Sequence, residues 1–216
     1  MALFELAGIA FAYPERPPLF RDLDFSLNAG ERLGIVGANG AGKSTLLLLL
    51  VGLLKPQAGR VIAFGRVRQR ETDFIEVRQR AGLVFQDPDD QLFCPTVLED
   101  VAFGPLNLGL SKRQALQRVE QTLGQLELDH LRNRLTHGLS GGEKRLISLA
   151  AVLAMAPDVL LLDEPSNGLD AALRNRLLTV LSQLPQALVL VSHDHDLMGR
   201  LTDRQWSLPP PATSQC

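Results

Sequence analysis

Gly37-Ala38-Asn39-Gly40-Ala41-Gly42-Lys43-Ser44-Thr45 is the stretch whose reading decides the fold. From Gly37 to Ser44 it fits G-x-x-x-x-G-K-[ST], the loop that cradles a polyphosphate. Its surroundings fit as well. Arg32–Val36 reads as a strand entering the loop, and Leu46–Leu54 is an apolar stretch that predicts a helix leaving it. Gly37, Gly40 and Gly42 let the backbone turn sharply and approach an anion with no Cβ between them. The amides of the loop and of the helix start then point at the phosphates, with the positive end of the helix dipole behind them. Lys43 supplies a mobile positive charge, and the Ser44 hydroxyl is placed to ligate Mg²⁺. The loop implies a nucleoside triphosphate without saying what its energy is used for.

The whole chain narrows the class. Its 216 residues suffice for one sizeable domain, and 45% apolar with 21% charged residues is ordinary for a soluble globular protein. Lys and Arg number 22 against 24 Asp and Glu, a net charge of −2, so nothing points to bulk nucleic-acid binding or a polybasic membrane anchor. Cys94 and Cys216 form neither a disulfide framework nor a metal spacing. The N-terminus lacks the basic and apolar regions of a signal peptide, and no apolar run approaches the ~20 residues of a membrane-spanning helix. A membrane role must come through a partner.

Taken in order, residues 3–13 predict one or two short strands. Leu23, Phe25 and Leu27 alternate with polar residues as a half-buried strand, and Asn28–Glu31 reads as a turn returning the chain through Arg32–Val36 as a hairpin. Val61–Phe64 and Leu83–Phe85 are further short strands. The arginines of 66–80 read as a solvated edge offset by Glu71, Asp73 and Glu76, in preference to a basic docking patch. Ser111 and Gln114 form a capping box ahead of Leu116, Val119, Leu123 and Leu126 at helical spacing. Gly142–Ala156 predicts a buried helix stopped by Pro157, and about 171–184 another ended by Pro185. Val159–Leu162 and Ala187–Val191 are continuous apolar runs, the pattern of central parallel strands. The Pro-rich tail 209–216 predicts disorder.

Four features downstream of the loop carry chemistry. Asp163 and Glu164 stand at the carboxyl end of an apolar strand, the edge that faces the ligand crevice in a doubly wound sheet. Asp163 reads as a Mg²⁺ partner and Glu164 as the general base for an attacking water. Gln86, at another strand end, can reach Mg²⁺ or the water, and His193, after a third core strand, can contact the γ-phosphate. Ser140-Gly141-Gly142 is a second glycine-rich turn at a helix start, without a lysine, and so a second backbone anion site. One triphosphate does not need two cradles in one chain. The economical reading is a dimer in which this turn closes on the nucleotide of the other subunit.

Together, Gly37–Thr45, Gln86, Leu139–Glu143, Leu160–Glu164, Ser166–Asp170 and His193 resemble, in order, the motifs of ATP-binding-cassette ATPases over roughly residues 3–206. Tyr13 falls where that family stacks an aromatic on adenine. Phe85–Phe93 followed by Thr96–Pro105 resembles the energy-coupling-factor transporter ATPases, and Leu139–Arg145 with Leu153–Met155 is similar to their cobalt/nickel branch. The resemblance implies an α/β P-loop NTPase fold: a RecA-like core, an antiparallel β subdomain and a helical subdomain inserted at about 88–156, in one domain over 1–208. It implies ATP and Mg²⁺ as cofactors, with Ser44, Gln86 and Asp163 at the metal and Tyr13, Gly37, Asn39, Gly40, Gly42, Lys43, Ser44, Thr45, Ser140, Gly141 and Gly142 around the nucleotide. It further implies a dimer sandwiching two nucleotides, integral membrane partner subunits docking near 86–105, a peripheral place on the cytoplasmic face of the membrane, and no nucleic acid. Because every motif is intact in one chain, a homodimer is the expectation, with a paired paralogue as the alternative.

The expected function is that of an ATP-hydrolysing subunit of an energy-coupling-factor importer for cobalt, nickel or a vitamin. A conventional transporter ATPase is the alternative. A soluble ATPase acting on nucleic acid is a more distant one, since no long coiled coil or second cassette is present. Two departures stand out. The chain stops soon after Trp206, which puts dimerisation without nucleotide in doubt, and Ser166-Asn167-Gly168-Leu169-Asp170 varies the family's loop in its middle residues while keeping Ser166 and Asp170.

Overall fold

The computed structural model describes residues 1–210. Cys216 and most of the expected tail lie outside the described residues.

Two sheets share the chain. β1 (Ala2–Phe11), β2 (Phe20–Asn28), β4 (Ala58–Ala63) and β5 (Arg66–Arg68) make an antiparallel sheet in the order β2-β1-β4-β5. β3 (Arg32–Val36), β6 (Ala81–Val84), β7 (Val159–Asp163), β8 (Ala187–Val191) and β9 (Arg204–Ser207) make a parallel sheet in the order β6-β7-β8-β3-β9. The expected hairpin of residues 23–36 is therefore corrected. β2 pairs with β1, while β3 leaves for the other sheet and lies between β8 and β9. A polar turn and an alternating pattern fix a change of direction and a buried face, but not the partner strand.

The strand-to-helix unit around the glycine loop forms as read, with α1 (Lys43–Leu50) starting inside the motif and ending earlier than Leu54. Gly52, at φ 70°, closes it, with Leu53 N donating to Leu48 O at 2.9 Å. Phe74 covers that turn so closely that a Cβ on Gly52 would lie 2.2 Å from its ring. Four of the five arginines of 66–80 are offset by acids, Arg66, Arg68 and Arg80 by Glu76 and Arg78 by Glu71, while Asp73 instead accepts from the Gln69 and Arg70 amides. Arg68 is the exception to a solvated edge. It is buried, and donates to Ala63 O and Asp73 O as well as to Glu76, tying β5 to α2 (Asp73–Arg80).

The helical stretch contains α3 (Val97–Asn107), α4 (Lys112–Gln125) and α5 (Gly141–Leu153), each opened by a capping box, at Thr96/Glu99, Ser111/Gln114 and Ser140/Glu143. α6 (Ala171–Gln183) and α7 (His195–Leu201) complete it, with N-caps Asp170 and Asp194.

Period-two alternation divides the core. Val159 and Leu161 pack with α1 and the antiparallel sheet, while Leu160 and Leu162 pack with the helices on the opposite face. Asp163 continues the first parity, so its side chain emerges on the α1 side, beside the loop that α1 closes.

Candidate functional site

The carboxyl ends of β3, β7 and β8 and the chain after β6 meet at one cleft of about 1220 Å³. Tyr13, Asn39, Gly40, Gly42, Lys43, Ser44, Thr45, Gln86, Asp163, Glu164 and His193 all line it. These are residues of five separate segments; of the residues read from the sequence as nucleotide or catalytic groups, Gly37, Ser140, Gly141 and Gly142 are not among them. Gly37 lies behind the loop, lining a smaller hollow next to Ser192 and His195.

The loop has the geometry its composition predicted. Gly40 and Gly42 adopt left-handed φ values of 76° and 101°. Gly42 also packs tightly, since a Cβ there would stand 2.7 Å from Phe20 Cζ and 2.8 Å from Leu19 Cδ2. Lys43 Nζ donates to Gly37 O at 2.9 Å and Ala38 O at 3.1 Å, which holds the ammonium over the loop that α1's amides face. Tyr13 borders the cleft with its hydroxyl 3.0 Å from Thr45 Oγ1 and its ring edge-on to Phe11, a position fixed by packing on one side and open on the other.

Asp163 and Glu164 differ as much as two adjacent carboxylates can. Asp163 is buried, and burial pushes its carboxyl up; the Ser44 hydroxyl beside it pulls the other way. Ser44, Gln86 and Asp163 form a set of hard oxygen donors, a hydroxyl, an amide and a carboxylate, which fits a magnesium ion. No group of three His, Cys, Asp or Glu side chains suited to a metal occurs among the described residues. Glu164 carries the left-handed φ of 49°. Its Oε2 accepts from His193 N at 3.2 Å. Its Oε1 is buried, has no hydrogen-bond partner among the described residues, and lies 3.5 Å from His193 Nε2. A carboxylate oxygen without a hydrogen bond at the edge of a cleft has a lone pair free to accept one from a bound water.

Ser140, Gly141 and Gly142 are not in the cleft. They open α5, where the capping box uses the Ser140 and Glu143 amides: Ser140 N donates to Glu143 Oε2 at 2.7 Å and Glu143 N to Ser140 Oγ at 3.3 Å. Gly142 is closely packed: a Cβ there would meet Leu173 Cδ1 at 2.8 Å, and that side chain would have to move to admit it.

Several groups at the site were missed. Ser166, Asn167 and Gly168 line the cleft, and the sequence marks them only through the family resemblance. Arg174 holds Asp194, the neighbour of His193, in a two-pronged ion pair at 2.5 and 2.7 Å, which brings the Asp194 carboxyl down to about 2. Arg145 donates to Glu164 O. Arg145 follows Glu143 and Lys144, so its charge is not distinctive in the sequence beyond the Leu139–Arg145 stretch of the family resemblance; nothing local marks Arg174. Cys94 is partly buried, and its thiol is pushed up to about 11 by burial and by Asp100.

Comparison with known proteins agrees with this geometry. The ABC transporter family profile matches residues 20–167. The cobalt import ATP-binding protein CbiO of Rhodobacter capsulatus is 51% identical over 204 residues, spanning 91% of this chain and 72% of that protein. The energy-coupling factor transporter ATP-binding protein EcfA of Methanothermobacter thermautotrophicus is 42% identical over 210 residues, 95% of this chain and 68% of that protein. Among solved structures, a dimeric ATP-binding cassette in a post-hydrolysis state, bound to ADP and Pi, superposes with a TM-score of 0.86 at 25% identity, covering 95% of this chain and 94% of that one.

Proposed function

This chain belongs to the ABC transporter family of ATPases, and on that premise we propose that it is the ATP-hydrolysing subunit of an energy-coupling-factor importer for cobalt, nickel or a vitamin. The observation that carries hydrolysis is the cleft itself, where the glycine loop, Gln86, Asp163, Glu164 and His193 converge. The relatives named for energy coupling and for cobalt import support the transport class. In this reading one domain spans 1–208, with the helical insert at about 88–156.

Each residue then has a task. The loop amides and Lys43 hold the phosphates, and Tyr13 faces the base. Ser44, Asp163 and Gln86 would hold Mg²⁺, which when bound neutralises charge on the phosphate oxygens. Glu164 Oε1 takes a proton from the attacking water, and His193 meets the γ-phosphate. Catalysis is mainly positioning and charge stabilisation. Ser140–Gly142, outside the chain's own cleft, close on the nucleotide of a second copy, so each site needs two chains. A homodimer suffices because every motif is present in one chain.

Membrane partners dock beside the chain after Gln86. Support comes from an exposed aromatic pair there, Phe93 and Phe103, stacked edge-on at 4.7 Å, with exposed Leu106. No helix among the described residues is long and apolar enough to cross a membrane, so the membrane-embedded part must be supplied by those partners.

Purification of the tagged chain from solubilised membranes, with mass spectrometry of what accompanies it, tests the transport reading. An integral membrane scaffold plus a substrate-binding membrane protein is the expected result. Recovery with soluble proteins or nucleic acid alone would overturn it.

A further inference from the structure

We propose that Arg145 is a positioning residue for Glu164: from α5 it clamps the main chain of that residue and ties the Ser140–Gly142 turn to its carboxylate. The inference rests on the reading of Glu164 as the base.

Glu164 needs holding. Among the non-glycine residues lining the cleft it alone has a left-handed backbone, an uncommon conformation for a residue with a side chain. That conformation turns its carboxylate toward His193. It is pinned from both sides. Glu164 N donates to Val191 O on β8 at 2.9 Å, and Glu164 O accepts from Asn167 N at 3.1 Å and from Arg145 Nη1 at 3.1 Å. The first two partners belong to the same sheet edge and the loop that follows it. Arg145 is the one that comes from the helical stretch.

The surroundings of Arg145 make little sense for packing alone. Its guanidinium makes no ion pair among the described residues, and its Nε is buried without a partner. Burial pulls its pKa down, with Asp87, Glu164 and Asp163 opposing. A leucine or methionine would fill the space without desolvating a charge. Arginine adds a donor for Glu164 O and a positive charge beside both carboxylates. Its neighbour Lys144 does something different, pairing with Asp89 at 2.6 Å.

Arg145 also sits about one helical turn beyond Gly142, on a hydrogen-bonded helix that moves as a unit. A shift of the turn on meeting the second copy's nucleotide is thus carried to the main chain of Glu164. The turn serves one nucleotide of the sandwich and Glu164 the other, so Arg145 links the two sites through a single chain.

The test is kinetic, on the full chain with Mg²⁺ and ATP. Arg145→Met should lower kcat about tenfold, leave the ATP KM and the affinity for a fluorescent ATP analogue within twofold, and barely change the melting temperature, because Asn167 N still serves the carbonyl. Arg145→Lys, keeping the charge and a donor, should recover part of kcat. In single-turnover measurements on a Glu164→Gln background, Arg145→Met should add less than a twofold loss, since a clamp that acts through one carboxylate has nothing left to position. An unaltered kcat, a loss confined to KM, or an equal loss on both backgrounds would overturn the proposal. If Arg145→Met does not fold, the same comparison of Arg145→Lys on the two backgrounds decides. Undiminished hydrolysis by Glu164→Gln alone would instead remove the base reading, so the two failures are told apart.

Discussion

Replacing Arg32 with alanine should cost the fold about 3 kcal/mol, although Arg32 touches neither nucleotide loop nor cleft. Arg32 opens β3, and its guanidinium reaches the ends of two helices. Nε donates to Leu201 O at 2.8 Å, Nη1 to Leu184 O at 3.0 Å and Nη2 to Leu181 O at 2.8 Å. Those carbonyls belong to the last turns of α6 and α7, where no intrahelical donor remains and the dipole favours a cation. A hydrogen bond to a charged group contributes about 1.5–3 kcal/mol. Three bonds sharing one partly exposed cation do not sum in full, which brings the total to about 3 kcal/mol. For a chain of this size that is a fall in Tm of roughly 10 °C. Circular dichroism during heating and urea unfolding both read it. Arg32→Lys, with a point charge instead of a fork, can serve one carbonyl well and should recover about a third. A loss below about 1 kcal/mol in Arg32→Ala, or an Arg32→Lys protein as stable as wild type, would refute the capping argument.

Two further predictions concern the cleft. Asp194→Asn removes the carboxylate that Arg174 holds down to about 2. The folded value lies below the unfolded one, so the stabilisation is present above about pH 4 and is lost as pH falls through 2. Against the reference value of 3.8, the shift corresponds to about 2 kcal/mol. The gap in urea midpoint between wild type and Asp194→Asn should therefore be full at pH 7 and narrow steadily below pH 4; a gap constant down to pH 2.5 would contradict the assignment. Gly42→Ala puts a Cβ at φ 101° against Phe20 and Leu19. The loop must shift, and affinity for a fluorescent ATP analogue should fall at least tenfold; near wild-type binding would show that the loop tolerates the displacement.

Much of this site was legible in the sequence because its motifs are local. Strand, glycine loop and helix sit within about twenty residues, and their spacing alone gives the geometry of Gly40 and Lys43. The apolar runs of β7 and β8 announced strands covered on both faces, and the parity of β7 then dictates the side on which Asp163 emerges. What could not be read depends on distant partners. Residues 23–36 looked like a hairpin because the turn is local, whereas the pairing of β3 with β8 and β9 joins positions more than 150 residues apart. Arg68 reads as solvated for a different reason: its partners Ala63 O and Asp73 O are each only five residues away, but they are backbone carbonyls that no side-chain pattern marks and that the folded β5–α2 corner brings together. Arg145 closes a family stretch that gives it no role and Arg174 falls in none, and their partners Glu164 and Asp194 lie nineteen and twenty residues away.

The central claim is that ATP is held and hydrolysed between two copies of this chain. Sedimentation of Glu164→Gln, with and without Mg²⁺ and ATP, tests it most directly. If Glu164 activates the water and the loop holds the phosphates as proposed, Glu164→Gln should form a dimer with ATP, and the dimer should be lost when Ser140 is also replaced by arginine. A Glu164→Gln protein that binds ATP yet stays monomeric, or a dimer indifferent to Ser140→Arg, would contradict it.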